Sequence, residues 1–381
     1  MKRIVCSFLL MMIVFSMLSA GVSAEGEKNS VSETKISKIS VFGDSIPAGY
    51  GLEDYNYKDL SASEQCFVNL FAKHYGLDIK KDVTNLSDTG LESAEINKKM
   101  KEVDKSVLEN SDVVIISAGA NDIMDTFANR LFYCISLNED FADKYHLEVD
   151  STSLYSIEAS IIRILFDPTK EEALEALARE CTDEDSMKMY KLISASVEYE
   201  LQSMINRVKE NNPDAQIYLI TPYDPVLGLS LKSNQLTKVL DDCINDLCDT
   251  INELADSQEY GENVHSIDLR SEFDGKYQEL TNISSLDIHP NKDGHALIAE
   301  RLISMEEEAL NPQVTADKTD EKSQEGSKNT DSSSDKKDSS ASEPEKLEAP
   351  FSDTVVYILM GVAIAAALAI IGHGIIKFKK K

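Results

Sequence analysis

Short apolar runs alternate with longer stretches of helical periodicity over residues 35–308. The runs are apolar at consecutive positions, whereas a strand with one solvated face would alternate apolar and polar residues. Such runs are typical of central strands in a parallel sheet that helices cover on both faces. The alternation of strand and helix predicts a doubly wound α/β fold. The predicted strands are KISVFG, DVVIISAG, AQIYLITPY and NVHSIDL, and the clearest predicted helices are ESAEINKKMKEV and MKMYKLISASVEYELQSMINRVKENN.

The connection over residues 123–214 is too long for a single crossover helix. Within it, STSLYSIEASIIRILF carries an apolar stripe at helical spacing. The segment TKEEALEALARE opens with Thr169 and Glu172 at the spacing of a capping box. We predict a helical insertion over one edge of the sheet. It could serve as a lid or specificity element, or it could be a purely structural elaboration.

Both ends of the chain have the composition of export and anchoring segments. Residues 1–24 begin with basic residues, continue with an apolar run and end in the small residues VSA, as secretory signal peptides do. Residues 354–376 contain no Asp, Glu, Lys or Arg, and about 20 apolar residues span a bilayer. The lysine-rich tail at residues 377–381 is predicted to face the cytoplasm. The intervening residues 309–353 are rich in Ser, Asp, Glu and Lys, which predicts a disordered stalk.

These segments predict a single-pass protein of the cell membrane whose folded domain is extracellular. A hydrophobic segment followed by lysines also ends the precursors of sortase substrates, but no Leu-Pro-x-Thr-Gly motif precedes Thr354. We therefore expect the C-terminal helix itself to hold the protein in the membrane. A signal peptide, a stalk and an anchor in this order are typical of a Gram-positive bacterial surface.

The chain carries a formal net charge of −29 at pH 7. A surface this acidic repels nucleic acid and anionic lipid headgroups at long range. The charge therefore argues against a nucleic-acid partner.

Five cysteines follow the predicted signal peptide, which is an odd number. The chain has no Cys-x-x-Cys pair and no His and Cys cluster with zinc spacing, so we expect no metal site. Cys134 and Cys181 flank the predicted insertion, which makes them the one pair worth testing as a disulfide. Free buried thiols are the default expectation for Cys66, Cys134, Cys181, Cys243 and Cys248.

Four short segments place chemically active residues just past a predicted strand or just before a predicted helix. Ser45 follows the first strand and could act as a nucleophile, or it could be a turn or N-cap residue. Gly90 could offer a backbone N–H to a bound group and Asn121 a side-chain amide, with an ordinary turn and an Asx turn as the alternatives. His289, fixed by Pro290 ahead of a helix, could act as a general base.

The segments FGDS, NLSDTG, GAND and DIHP occur in the order of the four sequence blocks of the SGNH/GDSL hydrolases, and residues 37–305 resemble that family. The resemblance implies a flavodoxin-like three-layer α/β/α sandwich and serine esterase chemistry that needs no cofactor. It also implies that Ser45 attacks the acyl carbon and that His289 moves the proton. The backbone N–H groups of Ser45 and Gly90, with the Asn121 amide, would hold the oxyanion.

The last block departs from the family pattern. The family's acidic residue usually stands three positions before the histidine, where this chain has Leu286, and Asp287 stands two positions before His289. In an extended segment this shift would turn the side chain away, whereas in an irregular loop Asp287 could still reach the imidazole. We predict that Asp287 orients His289, with a Ser–His dyad held by a backbone carbonyl as the alternative.

The resemblance implies hydrolysis of carboxylic esters, and it allows lysophospholipids, other lipid esters or O-acetyl groups on polysaccharides as substrates. Predicted surface placement favours an acylated carbohydrate, while an apolar insertion would suit an acyl-chain lid. The alternative function is a non-catalytic surface module that binds a wall polymer or a partner on the same fold. Other enzyme classes are not indicated, because the chain lacks a complete Gly-x-Gly-x-x-Gly, a Gly-x-Ser-x-Gly and a His-Glu-x-x-His.

Overall fold

The described residues form a parallel sheet of five strands. The computed structural model describes residues 36–136, 139–146, 171–224, 235–285 and 287–310. The strands are β1 (Ile39–Phe42), β2 (Val83–Asn85), β3 (Val113–Ser117), β4 (Gln216–Ile220) and β5 (Val264–Ile267). They stand in the order β2-β1-β3-β4-β5, which is the flavodoxin-like order of doubly wound sheets. The predicted α/β fold with a parallel sheet is confirmed.

Four of the strands coincide with predicted apolar runs, but β2 was not predicted. Its sequence is Val-Thr-Asn, it is only half-buried, and it lies at one edge of the sheet, where it pairs with β1 alone among the described strands. A strand this short and polar carries no apolar run to reveal it. Its position depends instead on pairing with β1, where Val83 stands opposite Ile39.

Helices cover both faces of the sheet. Along the first half of the domain they are α1 (Ser45–Ala48), α2 (Phe67–His74), α3 (Ile79–Asp82), α4 (Ser93–Glu102), α5 (Lys105–Glu109), α6 (Ala120–Ser136) and α7 (Glu139–Lys144). Those that follow are α8 (Glu171–Cys181), α9 (Glu184–Asn211), α10 (Gln235–Ala255), α11 (Leu269–Phe273), α12 (Tyr277–Leu280) and α13 (Lys292–Leu310). Single 3₁₀ turns occur at Leu60–Ala62, Gly261–Asn263 and Ile283–Ser285.

Successive side chains of the central strand β3 enter two separate apolar cores. Val113 and Ile115 belong to the core formed with α2 and α13, whereas Val114 and Ile116 belong to the core formed with α4, α9 and α10. The alternation follows from the period of two residues along a strand. Full burial of each such side chain contributes about 1.5–3 kcal/mol. Two cores on opposite faces of one sheet give the three-layer arrangement.

The carboxyl ends of the strands meet at one edge of the sheet. Phe42 at the end of β1 stands opposite Ile116 in β3, and Ser117 in β3 stands opposite Ile220 in β4. Ligands of open α/β sheets bind outside this edge. The residues that directly follow β1 and β3 are therefore placed side by side where a site can form.

In the part of the predicted insertion at 123–214 that the structure describes, there are four helices, from α6, which begins at Ala120, to α9. Buried side chains of α8, such as Ala173 and Leu177, share one core with α6, α9 and α10. The described part of the insertion therefore extends the core on one face of the sheet. The predicted helix STSLYSIEASIIRILF and the capping residue Thr169 lie outside the described residues.

The helix α13 ends at Leu310, slightly beyond the predicted domain boundary at residue 308. The predicted signal peptide (1–24), the rest of the stalk, the membrane segment (354–376) and the lysine-rich tail (377–381) lie outside the described residues. Within the described ranges, no helix combines the length and apolar character needed to cross a membrane.

The cysteines that follow the predicted signal peptide are all free thiols, so the disulfide considered between Cys134 and Cys181 is not formed. Both residues are buried in the core that contains α6 and α8. The neighbouring Cys134 thiol and burial raise the pKa of Cys181 above its usual value. The two side chains pack as small apolar groups, in line with the default expectation.

Candidate active site

Ser45 is the first residue of α1, immediately past β1 at the carboxyl edge of the sheet. The turn that carries it requires Gly43, because a Cβ atom there would lie 2.5 Å from the Pro47 side chain. The buried Asp44 caps α1 by accepting the Ile46 backbone N–H at 3.1 Å. Burial raises the pKa of Asp44 to about 6, although its hydrogen bonds favour the ionised form. Residues next to Ser45 in the sequence therefore fix the backbone turn that carries it.

His289 brings the two ends of the domain together at Ser45. Its Nε2 atom lies 2.9 Å from Ser45 Oγ, and its Nδ1 atom lies 2.6 Å from Asp287 Oδ1. An ionised carboxylate only accepts hydrogen bonds, so Nδ1 carries a proton and donates it to Asp287. In the neutral imidazole Nε2 is then free to accept the Ser45 hydroxyl proton. The three side chains form one continuous hydrogen-bonded chain.

The backbone that leads to His289 passes through the 3₁₀ turn at Ile283–Ser285 and folds back on Asn282 rather than running extended, which explains how Asp287 reaches the imidazole. The Asn282 N–H donates to the His289 carbonyl at 2.9 Å, and the Asp287 N–H donates to the Asn282 carbonyl at 3.3 Å. Asp287 Oδ1 also accepts the His289 backbone N–H at 3.0 Å. Asp287 therefore faces Nδ1 of His289, although it stands only two positions before the histidine.

The environment of Asp287 keeps its carboxylate ionised. Burial raises the pKa of this group, but hydrogen bonds and the charge of His289 outweigh burial and hold the pKa below its usual value. The Asn282 side-chain amide adds a long contact of 3.5 Å to Oδ2. A carboxylate that stays charged stabilises a positively charged imidazole beside it.

Three residues that the sequence did not single out hold His289 in place. Gly51 has φ of +93°, and a Cβ atom there would lie 2.8 Å from His289 Cβ. The Tyr50 ring packs edge-on against the imidazole, with centroids 4.5 Å apart. The Tyr223 hydroxyl donates to the Ile288 carbonyl. Gly51 could have been found from the sequence, since it stands in a glycine-rich turn. Tyr50 and Tyr223 could not, because they act through tertiary contacts and belong to no sequence motif.

The predicted oxyanion residues lie at the same edge of the sheet. Asn121 is in the first turn of α6 and lines the pocket at Ser45, and its Nδ2 atom donates to the Leu91 carbonyl at 2.9 Å. Gly90, with φ of +75°, directly precedes Leu91. The loop that carries Gly90 is tied to the serine turn, because the Asp88 N–H donates to the Gly43 carbonyl at 3.1 Å.

Two further titratable residues near the motifs have structural positions. Asp122 accepts the backbone N–H and hydroxyl of Ser93, at 2.9 and 2.6 Å, which links α6 to the start of α4. His295 is fully buried and stacks against Phe67, and burial lowers its pKa to about 3. His295 is thus a packing residue. Within the described ranges, no three His, Cys, Asp or Glu side chains cluster as metal ligands.

A small apolar pocket of about 60 Å³ opens beside Ser45. Ser45, Asn121 and His289 lie at the pocket together with apolar side chains of α6, α10 and the histidine loop, among them Ile123, Met124, Ile244 and Ile288. A water molecule's share of liquid volume is about 30 Å³. The described residues therefore leave room for a small group next to the serine.

Comparison with known families gives the class of the protein. The chain matches the family model of the GDSL-like lipases and acylhydrolases over residues 41–297. That range covers more than half of the chain and contains Ser45, Gly90, Asn121, Asp287 and His289. The protein belongs to the GDSL-like lipase/acylhydrolase family, and this membership supports an ester hydrolase.

Several solved structures are similar to the chain at low sequence identity. A lipase from a goat rumen metagenome is 16% identical over 70% of this chain and 96% of its own, with a TM-score of 0.43. Phospholipase A1 from Streptomyces albidoflavus is 15% identical over 70% of this chain and 98% of its own, with a TM-score of 0.42. An extracellular lipase from Streptomyces rimosus is 16% identical over 70% of this chain and 98% of its own, with a TM-score of 0.45. A comparison with curated proteins gave no match.

Proposed function

We propose that the protein is a serine esterase that hydrolyses carboxylic esters through an acyl-enzyme on Ser45. The observation that carries this proposal is the hydrogen-bonded chain from Ser45 through His289 to Asp287, with distances of 2.9 and 2.6 Å. A hydroxyl, an imidazole and a carboxylate in this arrangement are the parts that nucleophilic acyl transfer requires. Membership in the GDSL-like lipase/acylhydrolase family supports the same reaction class.

In the proposed first step, Ser45 Oγ attacks the acyl carbon while His289 Nε2 takes the hydroxyl proton. The carbonyl oxygen gains the negative charge, and donors from the Ser45 and Gly90 backbone and the Asn121 amide stabilise it. The imidazolium then gives its proton to the leaving alcohol as the ester C–O bond breaks. Water repeats both proton transfers on the acyl-enzyme, which releases the acid and restores Ser45.

Asp287 has an orienting role in this proposal. By accepting the Nδ1 proton it selects the tautomer in which Nε2 is unprotonated and faces Ser45. It also stabilises the imidazolium that forms after proton transfer. The low pKa of Asp287 supports this role, because the carboxylate remains charged at neutral pH.

A fluorophosphonate probe is expected to attach covalently to Ser45, because an activated serine displaces fluoride from phosphorus. Tryptic peptides of the labelled protein, analysed by mass spectrometry, should carry the probe on the peptide that contains Ser45. The Ser45→Ala variant should remain unlabelled. Equal labelling of both proteins, or no labelling of the wild type, would contradict a serine mechanism.

We also infer from the sequence that the esterase is displayed on the outer face of a cell membrane, in the manner of a Gram-positive surface protein. The predicted signal peptide at 1–24 and the apolar segment at 354–376, followed by lysines, support this location. The same labelling tests it with a membrane-impermeant fluorophosphonate. Ser45 should be labelled equally in intact and in lysed cells, and labelling that appears only after lysis would refute surface display.

The pocket beside Ser45 supports a preference for short acyl groups. With about 60 Å³ free, it suits an acetyl group better than a long chain, and forcing extra methylenes into a packed site is unfavourable. Of the two substrate classes that the sequence allows, O-acyl carbohydrates fit this pocket better than long-chain lipid esters.

A series of p-nitrophenyl esters tests the acyl preference. We expect kcat/KM to fall by about tenfold or more from acetate to octanoate, a loss of about 1.4 kcal/mol in transition-state stabilisation. Measurements below the critical micelle concentration exclude effects of substrate aggregation. A higher kcat/KM for octanoate than for acetate would show that the acyl chain has another, larger binding site.

A further inference from the structure

A second and larger cavity lies away from the serine. This β2 cleft, of about 740 Å³, opens beside the edge strand β2, and its walls come from residues 57–61, 69, 79–80, 83, 85–87, 99 and 102–103. Small-molecule sites occupy about 300–1,000 Å³. The β2 cleft therefore has the volume of a ligand site, whereas the pocket beside Ser45 holds only a small group.

Three lysines line the β2 cleft, beside the carboxylates of Asp59 and Glu102. Lys58, Lys80 and Lys99 line it, although carboxylates outnumber lysines and arginines in the whole chain, 67 to 38. Asp59 lies 3.4 Å from Lys80, an exposed pair of the kind that contributes little stability. Lys99 is paired at 3.6 Å with Asp88. An anionic group of a ligand can compete with such weak pairs.

Lys58 has no carboxylate partner among the described residues and instead lies over the ring of Tyr57, 5.4 Å from its centroid. Tyr57 is 70% exposed, the highest value among the exposed large apolar side chains of the described ranges. A flat, solvated aromatic ring beside an ammonium group offers a stacking surface and a positive charge to one ligand. The apolar face of a sugar ring that carries a carboxylate or phosphate matches both features.

The wall of the β2 cleft is connected to the catalytic turn. Asn85 Nδ2 donates to the Pro47 carbonyl at 2.8 Å, and Pro47 belongs to the same short helix as Ser45. The wall continues from Ser87 along the chain to Gly90, in the loop that pairs with Gly43. Hydrogen bonds therefore join the wall of the β2 cleft to the turn that carries Ser45.

The geometry points to a substrate-binding cleft for an anionic glycan, whose charged sugar units occupy the β2 cleft while an ester on a neighbouring unit reaches Ser45. This inference rests on the proposed esterase function and names the class of polymer on which it acts. It accounts for the separation between a small pocket at the serine and a large polar cleft beside the edge strand.

The test uses the full-length Ser45→Ala protein, which binds without turnover, and calorimetric titration with trigalacturonate. We expect trigalacturonate to bind, and its methyl ester, which has the same sugars without the charges, to bind about tenfold or more weakly. Added NaCl should weaken binding of the charged form because salt screens the lysines. No binding of trigalacturonate, or equal binding of its methyl ester, would refute the anionic-glycan cleft.

Matched variants locate the binding. In the Ser45→Ala background, Tyr57→Ala with Lys58→Ala should weaken trigalacturonate binding about tenfold or more. Tyr199→Ala with Lys188→Ala should leave it unchanged, since Tyr199 is exposed to the same extent as Tyr57, 69% against 70%, but lies on α9. Equal losses in both double variants would place the binding elsewhere and overturn the inference.

Two further outcomes separate this inference from others. Binding to phosphatidylglycerol vesicles, without binding to trigalacturonate, would assign the β2 cleft to a lipid surface and overturn the glycan proposal. Hydrolysis of p-nitrophenyl acetate by the wild-type chain, compared with Ser45→Ala, decides the esterase function independently, because that small ester carries no glycan.

Discussion

The Ser45→Ala variant should hydrolyse p-nitrophenyl acetate at least about 10⁴-fold more slowly in kcat than the wild type. The reason is that the hydroxyl 2.9 Å from His289 Nε2 is the proposed site of the acyl-enzyme, and alanine leaves no atom to be acylated. His289→Ala should cause a similar loss, because the serine then has no base. Initial rates over a range of substrate concentrations give kcat and KM for each variant.

The double variant Ser45→Ala, His289→Ala sharpens this prediction. Residues that act as one catalytic unit show losses that do not multiply, so the double variant should be no slower than either single variant. His74→Ala is a suitable control, since His74 is an exposed histidine on α2 with a similar chemical change. Wild-type rates in Ser45→Ala would point to the alternative function, a binding module without catalysis.

Asp287→Asn should lower kcat by about 10³- to 10⁴-fold while the protein stays folded. The amide cannot accept the Nδ1 proton in the way a carboxylate does, and it cannot stabilise the imidazolium by charge. The 2.6 Å contact between Asp287 Oδ1 and Nδ1 is the observation behind this expectation. Steady-state kinetics with p-nitrophenyl acetate measure the loss, and circular dichroism checks the fold.

Asp293→Asn provides the matched control for this variant, because Asp293 is exposed at the start of α13 and makes the same change in charge. Its kcat should equal that of the wild type. Full activity in Asp287→Asn, together with complete loss in His289→Ala, would establish the dyad instead. In that case a backbone carbonyl would orient the imidazole.

The central strands could be predicted from the sequence because burial on both faces leaves a continuous apolar run. Val113 to Ser117 illustrates this, since every residue of β3 is buried. The edge strand β2 could not be predicted in this way, because pairing with β1 rather than apolar burial defines it. Likewise, nothing in the local sequence showed that the helices from α6 to α9 extend one core.

The candidate site, too, could be predicted only in part. Ser45 and Asn121 could be proposed from short segments at strand ends, because parallel strands bring their carboxyl ends to one edge. His289 could be proposed from the segment just before the last helix. The approach of Asp287 to His289 could not be decided from spacing, since it depends on the path of an irregular loop. The role of Tyr223 could not be predicted from the sequence either, because its hydroxyl donates to the carbonyl of Ile288, which is 65 positions away in the chain.

The separation of 244 positions between Ser45 and His289 governs when this protein can first act. A chain emerges from the ribosome with its N-terminal part first. On the proposed mechanism, a domain that has folded only as far as β4 holds a serine without a base and is inert toward esters. Ester hydrolysis then begins only after His289 reaches Ser45, so catalytic activity reports that the C-terminal part of the domain has folded.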